Sequence, residues 1–158
     1  MNITLNYQFI DSPVGRLRLV SNGKALLRIE FENLHADDGD ERSDPVIEQT
    51  AQQLKEYFQG RRTCFSLPLD ASGTEFQSNV WSALQQIPFG ELRSYRDIAI
   101  AIGNRKAVRA VGAANGRNPI PIVVPCHRVI GSNGTLTGFA GGLEAKRGLL
   151  ALEGLSLV

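Results

Sequence analysis

This 158-residue chain contains two cysteines, and one of them, Cys126, is followed directly by His127 in the segment PIVVPCHRVIG, residues 121–131. A thiol beside an imidazole is the raw material of a sulfur nucleophile. The thiolate attacks, and a free cysteine ionises near about 8.5, so only a few per cent is thiolate at neutral pH. Lowering that pKa to about 6 would raise the thiolate roughly thirtyfold, worth about 2 kcal/mol. Most of any larger acceleration must come from holding an electrophile in line with the sulfur. His127 is the candidate base. Neighbouring side chains usually point apart, which leaves direct contact and a water relay both open. A carboxylate normally orients such an imidazole. Glu153, closing the apolar segment LEAKRGLLALEG (143–154), is the candidate. Its alternative is an exposed charge at a helix end.

The flanking segments must position these groups. Before the cysteine lies NGRNPIP, residues 115–121. Asn118 precedes a proline and is held out of helical conformation, and its amide can bridge backbone groups across the turn. After the cysteine comes the glycine-rich GSNGTLTGFAGG, residues 131–142. It reads either as a loop that closes over a flat ligand or as a flexible surface loop. Upstream, Thr74 and Gln77 have capping-box spacing and open a helix with the stripe Phe76, Val80, Trp81, Leu84 and Ile87. Ser94 and Asp97 repeat that spacing, Gly103 stops their helix, and a second helix runs from about Ala107 to Asn115. Two short helices about a tight turn make a helix-turn-helix or an ordinary helix pair. The second is nearly bare. Ala107, Ala110, Gly112, Ala113 and Ala114 leave Arg109 as its one long side chain. A helix that reads base edges carries several polar side chains. A bare one suits close approach in the minor groove, with little sequence preference.

The first half reads as a small α+β unit. Residues 6–32 alternate apolar and polar, broken at Ser12-Pro13 and Asn22-Gly23, as two or three antiparallel strands. Residues 44–60 have helical periodicity. TCFSLPL (63–69) is predicted as a further short strand with Cys64 as a buried hydrophobe, and DASG (70–73) as a linker. His35 and the acidic stretch around it are predicted as a solvated loop. The formal net charge is +1, but it averages an acidic early segment and a basic later one. Arg93, Arg96, Arg105, Lys106, Arg109, Arg117 and Arg128 crowd the later segment, a candidate surface for a polyanion. The cysteines lack metal-site spacing and form no disulfide framework, which fits free thiols in a reducing compartment. The apolar runs are too short to span a bilayer, and the first residues lack the pattern of a targeting segment. The expected location is cytoplasmic, without membrane association.

Taken together, Pro125-Cys126-His127-Arg128-Val129, RAVGAANGRNP before it and GFAGGLEAKRGLLALEG after it resemble the O6-alkylguanine-DNA alkyltransferases, the methylated-DNA–protein-cysteine methyltransferase family. The match covers roughly Thr74 to Gly154. The resemblance implies an α+β fold. An N-terminal antiparallel sheet with a helix, a ribonuclease-H-like roll, would occupy residues 1–73. A mainly helical domain with a helix-turn-helix, for DNA binding and alkyl transfer, would occupy 74–158. It implies that Cys126 takes an alkyl group from O6 of guanine in double-stranded DNA, with O4 of thymine as a further candidate. His127 would take the thiol proton through water, Glu153 would orient His127, and Asn118 would brace the turn. Tyr95 would donate to the guanine ring nitrogen so that the base leaves neutral. Arg109 would fill the gap left in the duplex, with Ala107, Ala110, Ala113 and Arg117 along the DNA. Val129, Phe139, Ala140 and Tyr95 would line the pocket. There the carbonyls of Cys126 and Val129 would accept from the exocyclic amine, and the Ala140 N–H would face the substituted oxygen.

Phe139 departs from the family, where tyrosine is common; the lost hydroxyl would change pocket polarity. No cofactor or metal is implied, because the cysteines and histidines that bind zinc in some relatives are missing. The chain is expected to act as a monomer. A thioether is not cleaved by water, so the transfer would be irreversible, with one alkyl group per chain. Alkylation would then crowd the turn at Asn118 and weaken the fold. Three other readings fit parts of the sequence. A non-catalytic binder of alkylated DNA would lack the cysteine. A helix-turn-helix regulator would show sequence-specific contacts. A cysteine hydrolase would turn over repeatedly.

Overall fold

The computed structural model describes residues 4–155. The predicted strands form as β1 (Asn6–Ile10), β2 (Leu17–Ser21) and β3 (Leu26–Phe31), an antiparallel meander. The β2–β3 turn is set by Asn22, whose Oδ1 accepts from the backbone N–H groups of Lys24 and Ala25, both at 2.9 Å. A two-residue β4 (Asp40–Glu41) adds to β1 in parallel, giving the order β3-β2-β1-β4. Helix α1 (Pro45–Phe58) starts where Asp44 accepts from the Ile47 N–H at 2.8 Å, with proline in its first turn. Its face of Val46, Ile47, Leu54 and Tyr57 is buried against the sheet.

Two local expectations change. TCFSLPL forms no strand beyond a single bridge from Leu69 to Leu26. The side chain of Gln53 takes the place of a partner strand, accepting from the Ser66 N–H (2.9 Å) and donating to the Ser66 carbonyl (3.0 Å). The alternation is real, but Phe65, Leu67 and Leu69 take the inward phase. That turns Cys64 outward, and it is exposed rather than core. The acidic stretch is also more than a solvated loop. Arg18 on β2 is only 2 % exposed, pairs with Glu30 at 2.6 Å and Asp38 at 3.3 Å, and lies over the Tyr7 ring. Arg28 pairs with the same two carboxylates. His35 is half-buried, edge-on to Phe9.

Helix α2 (Glu75–Gln85) opens on the Thr74–Gln77 capping box, with both reciprocal hydrogen bonds formed. Its Trp81 is buried and its indole N–H donates to the Ala114 carbonyl at 2.9 Å, tying α2 to the last turn of α4 (Val108–Gly116). The strand pair β5 (Arg93–Ser94) and β6 (Val129–Ile130) is parallel. Helix α3 (Tyr95–Ala101) follows β5 directly, behind the Ser94–Asp97 capping box. Gly103, at φ +78°, makes the turn into α4. Helix α5 (Leu143–Leu152) packs its Leu149 and Leu150 into the interior.

The sheet and the helical part share one core. The Ile29 N–H donates to the Pro119 carbonyl at 2.9 Å. Phe31 meets Phe139 edge-on at 5.5 Å between centroids. A Cβ on Gly141 would fall 2.6 Å from the Phe31 ring, so only glycine allows that approach. No helix among the described residues is long and apolar enough to cross a membrane.

Candidate active site

Cys126 and His127 lie in a single 3-10 turn, Cys126–Arg128, between a proline-framed loop and β6. The loop before it is tight and buried. Ile122 has φ +75°, a left-handed conformation that costs a β-branched residue on the order of 1–3 kcal/mol. Asn118 spans the loop, donating from Nδ2 to the Val124 carbonyl at 2.7 Å and accepting at Oδ1 from the Ile120 N–H at 3.0 Å. The bare helix and the cysteine turn are thus joined through one side chain.

His127 is fully buried, and its Nε2 is 2.7 Å from Glu153 Oε2. Glu153 is 5 % exposed and caps α5. Burial alone would raise its carboxyl, but hydrogen bonds from His127, Arg128 and Tyr57 prevail and hold it at about 2. The ionised carboxylate accepts from five donors. Oε1 takes the Gly90 N–H at 3.0 Å and Arg128 Nε at 2.8 Å. Oε2 takes His127 Nε2, Arg128 Nη2 at 3.1 Å and the Tyr57 hydroxyl at 2.5 Å. An acceptor-only carboxylate fixes the proton of neutral His127 on Nε2. Nδ1 then carries the free lone pair, and it has no partner among the described protein atoms. Burial lowers the His127 pKa, against the opposing pull of Glu153, so the imidazole is neutral at neutral pH.

The structure does not lower the thiol pKa at rest. Cys126 is 5 % exposed, and burial pushes its pKa up to about 11, although the Asn118 amide and the Lys146 charge pull it down. The resting sulfur is therefore a thiol. It needs a base at the moment of attack, and His127 is a neutral one.

On the far side of the turn, Tyr95 is half-buried at the start of α3, beside Gly112 of α4. Its hydroxyl lies 2.5 Å from Thr137 Oγ1 in the glycine-rich loop. Val129 is buried, Phe139 is half-buried against Phe31, and Ala140 is exposed. Lys146, fully buried on α5, donates to the carbonyls of Val129 (2.7 Å) and Thr137 (3.1 Å). The Cys126 carbonyl accepts the Val129 N–H and a long contact from buried Asn115, 3.5 Å.

Arg109, Ala110, Ala113 and Arg117 are exposed on one face of α4, and Ala107 is half-buried at its start. Arg109 makes no hydrogen bond or ion pair among the described residues, and Arg96, Arg105 and Lys106 are exposed nearby. Arg128 must be removed from that basic surface: it is 6 % exposed, bound to Glu153 and to the Ile87 carbonyl at 2.7 Å. Arg128, Tyr57, Lys146, Asn115 and Thr137 were all missed as site residues. For Arg128 the available signal was its place within the apolar run PIVVPCHRVIG; Lys146, between Glu144 and Arg147, carried none. Tyr57 and Thr137 carried none.

Comparison with known proteins agrees with this architecture. Residues 75–155 match the DNA binding domain of 6-O-methylguanine DNA methyltransferase, and residues 5–71 match its ribonuclease-like domain. The chain belongs to the 6-O-methylguanine DNA methyltransferase family. A methylated-DNA–protein-cysteine methyltransferase of Haemophilus influenzae is 48 % identical over 94 % of this chain and 86 % of its own length. That of Mycobacterium tuberculosis H37Rv is 49 % identical, covering 94 % and 92 %. The crystal structure of Mycobacterium tuberculosis OGT in complex with DNA superposes with a TM-score of 0.89 at 47 % identity, covering 94 % of this chain and 92 % of that one.

Proposed function

We propose that this chain is a methylated-DNA–protein-cysteine methyltransferase that repairs DNA by taking the alkyl group of O6-alkylguanine onto Cys126. The carrying observation is the buried pairing of His127 with an ionised Glu153, one residue from the only buried cysteine among the described residues. Cys126 sulfur attacks the alkyl carbon, the carbon–oxygen bond breaks, and its electron pair passes to guanine. His127 Nδ1 takes the thiol proton through water. Tyr95 gives its proton to the guanine ring nitrogen, and the imidazolium restores it through solvent. The product is a thioether and a neutral base, and the step as written needs no cofactor. The reaction is irreversible and uses each chain once.

The base must leave the helical stack to reach so buried a sulfur. The exposed, small-residue face of α4 supports a minor-groove approach with little sequence preference, Arg109 taking the vacated space. Val129, Phe139 and Ala140 complete the pocket with Tyr95. Lys146 holds the Val129 carbonyl and the loop at Thr137, which supports a pocket organised before substrate enters. The Thr74 cap of α2 and the separate family matches over 5–71 and 75–155 support a division into units 1–73 and 74–158. Two free thiols support a reducing, cytoplasmic setting.

The test is transfer of a radiolabelled methyl from O6-methylguanine in duplex DNA. The wild type takes up label, while Cys126→Ala binds the same duplex and takes up none. Label on Cys126→Ala would displace Cys126 as the acceptor. Methylation of a 5 % exposed sulfur must also displace packed neighbours, so the alkylated chain is expected to melt lower than the free one. Equal melting temperatures would argue against that crowding.

A further inference from the structure

We infer that Tyr57, on helix α1 of the N-terminal unit, is a positioning residue for alkyl transfer, setting through Glu153 the pH at which His127 can act as base. This rests on the alkyl-transfer reading above. Tyr57 is fully buried, and its hydroxyl donates to Glu153 Oε2 at 2.5 Å, across 96 residues of sequence. The same oxygen accepts His127 Nε2 at 2.7 Å. Arg128 Nη2 also reaches this oxygen, at 3.1 Å, so three donors share it and the Tyr57 hydroxyl is the nearest. A strong second donor draws charge away from the His127 side, weakens the carboxylate's pull on imidazolium and keeps His127 less basic.

Other groups also face this pair. Arg128 faces Glu153 from the cysteine turn, and Gly90 offers a backbone N–H from the loop after α2. Lys146 faces His127 from α5 without bonding Glu153, and Cys126 is neutral at rest. Burial and the Glu153 charge push the Tyr57 ionisation far above its ordinary value, so the hydroxyl keeps its proton throughout the working range. The ring itself is held by Phe58, Phe65 and Phe89, at 5.4, 5.4 and 6.2 Å between centroids. Removing only the oxygen leaves that packing intact.

The experiment is the pH profile of single-turnover methyl transfer for the wild type, for Tyr57→Phe and for a chain with a ring-fluorinated tyrosine in place of Tyr57. Transfer needs neutral His127, so the acid limb follows its pKa. Losing the hydroxyl raises that pKa, and the limb moves to higher pH by about one unit. A fluorinated phenol donates more strongly, and the limb moves the other way. It keeps the shape of the site, so it decides the matter even if Tyr57→Phe folds poorly. An acid limb that stays put in both variants, or moves the same way in both, overturns the inference and leaves the alkyl-transfer reading standing. A wild type that transfers nothing at any pH overturns both.

Discussion

Two regions of the molecule use opposite physics. Around Glu153 every donor has a partner, nothing is exposed, and one ionised carboxylate holds an imidazole, a guanidinium, a phenol and a backbone N–H. Along α4 the working face is alanine with Arg109 and, at the C-cap, Arg117, both exposed and unengaged among the described residues. The first arrangement costs stability if Glu153 or Arg128 is lost, because a buried charge is left uncompensated. The second costs the fold nothing, since its worth appears only against a partner. Chemistry and recognition should thus separate cleanly under mutation.

The largest expected break is Glu153→Gln. Removing the charge that Arg128 and His127 share should lower stability by about 3–5 kcal/mol and slow transfer about a hundredfold. Thermal melts and single-turnover rates check both, and a near-silent variant would end the case for a catalytic carboxylate. Acid should act on the same region. Glu153 is held at about 2, below its unfolded value of 4.5, and burial lowers the His127 pKa from 6.5. In both cases the unfolded chain binds more protons as pH falls. Stability is therefore expected to decline from about pH 6.5 downward, with Glu153 adding a loss of about 3 kcal/mol between about pH 4.5 and 2. Urea melts across that range should show the loss, and Glu153→Gln should flatten its lower part.

The α4 face should respond in the reverse manner. Arg109→Ala is expected to slow transfer from duplex DNA about tenfold while reaction with the free base and the melting temperature hold. Equal losses with both substrates would argue against a role in base extrusion. The smallest effect is expected from Ala113→Leu, which adds bulk where the helix should lie closest to the duplex. Affinity should drop a few-fold with stability unchanged within about 0.5 kcal/mol. A gel-shift titration measures it, and unchanged affinity would move the contact surface elsewhere.

The elements were legible because their signals are local. Thr74 with Gln77, and Ser94 with Asp97, sit three residues apart and need no tertiary information, and both boxes close as read. Glu153 and Asn118 were legible as candidates only with the neighbouring motifs. Tyr57 was not, because its ring belongs to an ordinary apolar helix face and its hydroxyl finds a partner 96 residues on. Arg128 looked like one more charge in a basic run, yet its guanidinium is buried between Glu153 and the Ile87 carbonyl. Cys64 shows the same limit in a strand-like pattern. Alternation tells which residues share a face, and only the fold tells which face is inside.

The central claim is that one sulfur accepts one alkyl group and keeps it. Intact-protein and peptide mass spectrometry after incubation with excess duplex carrying O6-methylguanine tests it most directly. The account predicts a single added methyl per chain, carried on the peptide containing Cys126, and repaired guanine in equal amount. Repair in excess of protein, or a methyl found on Cys64 or on no cysteine, would contradict it.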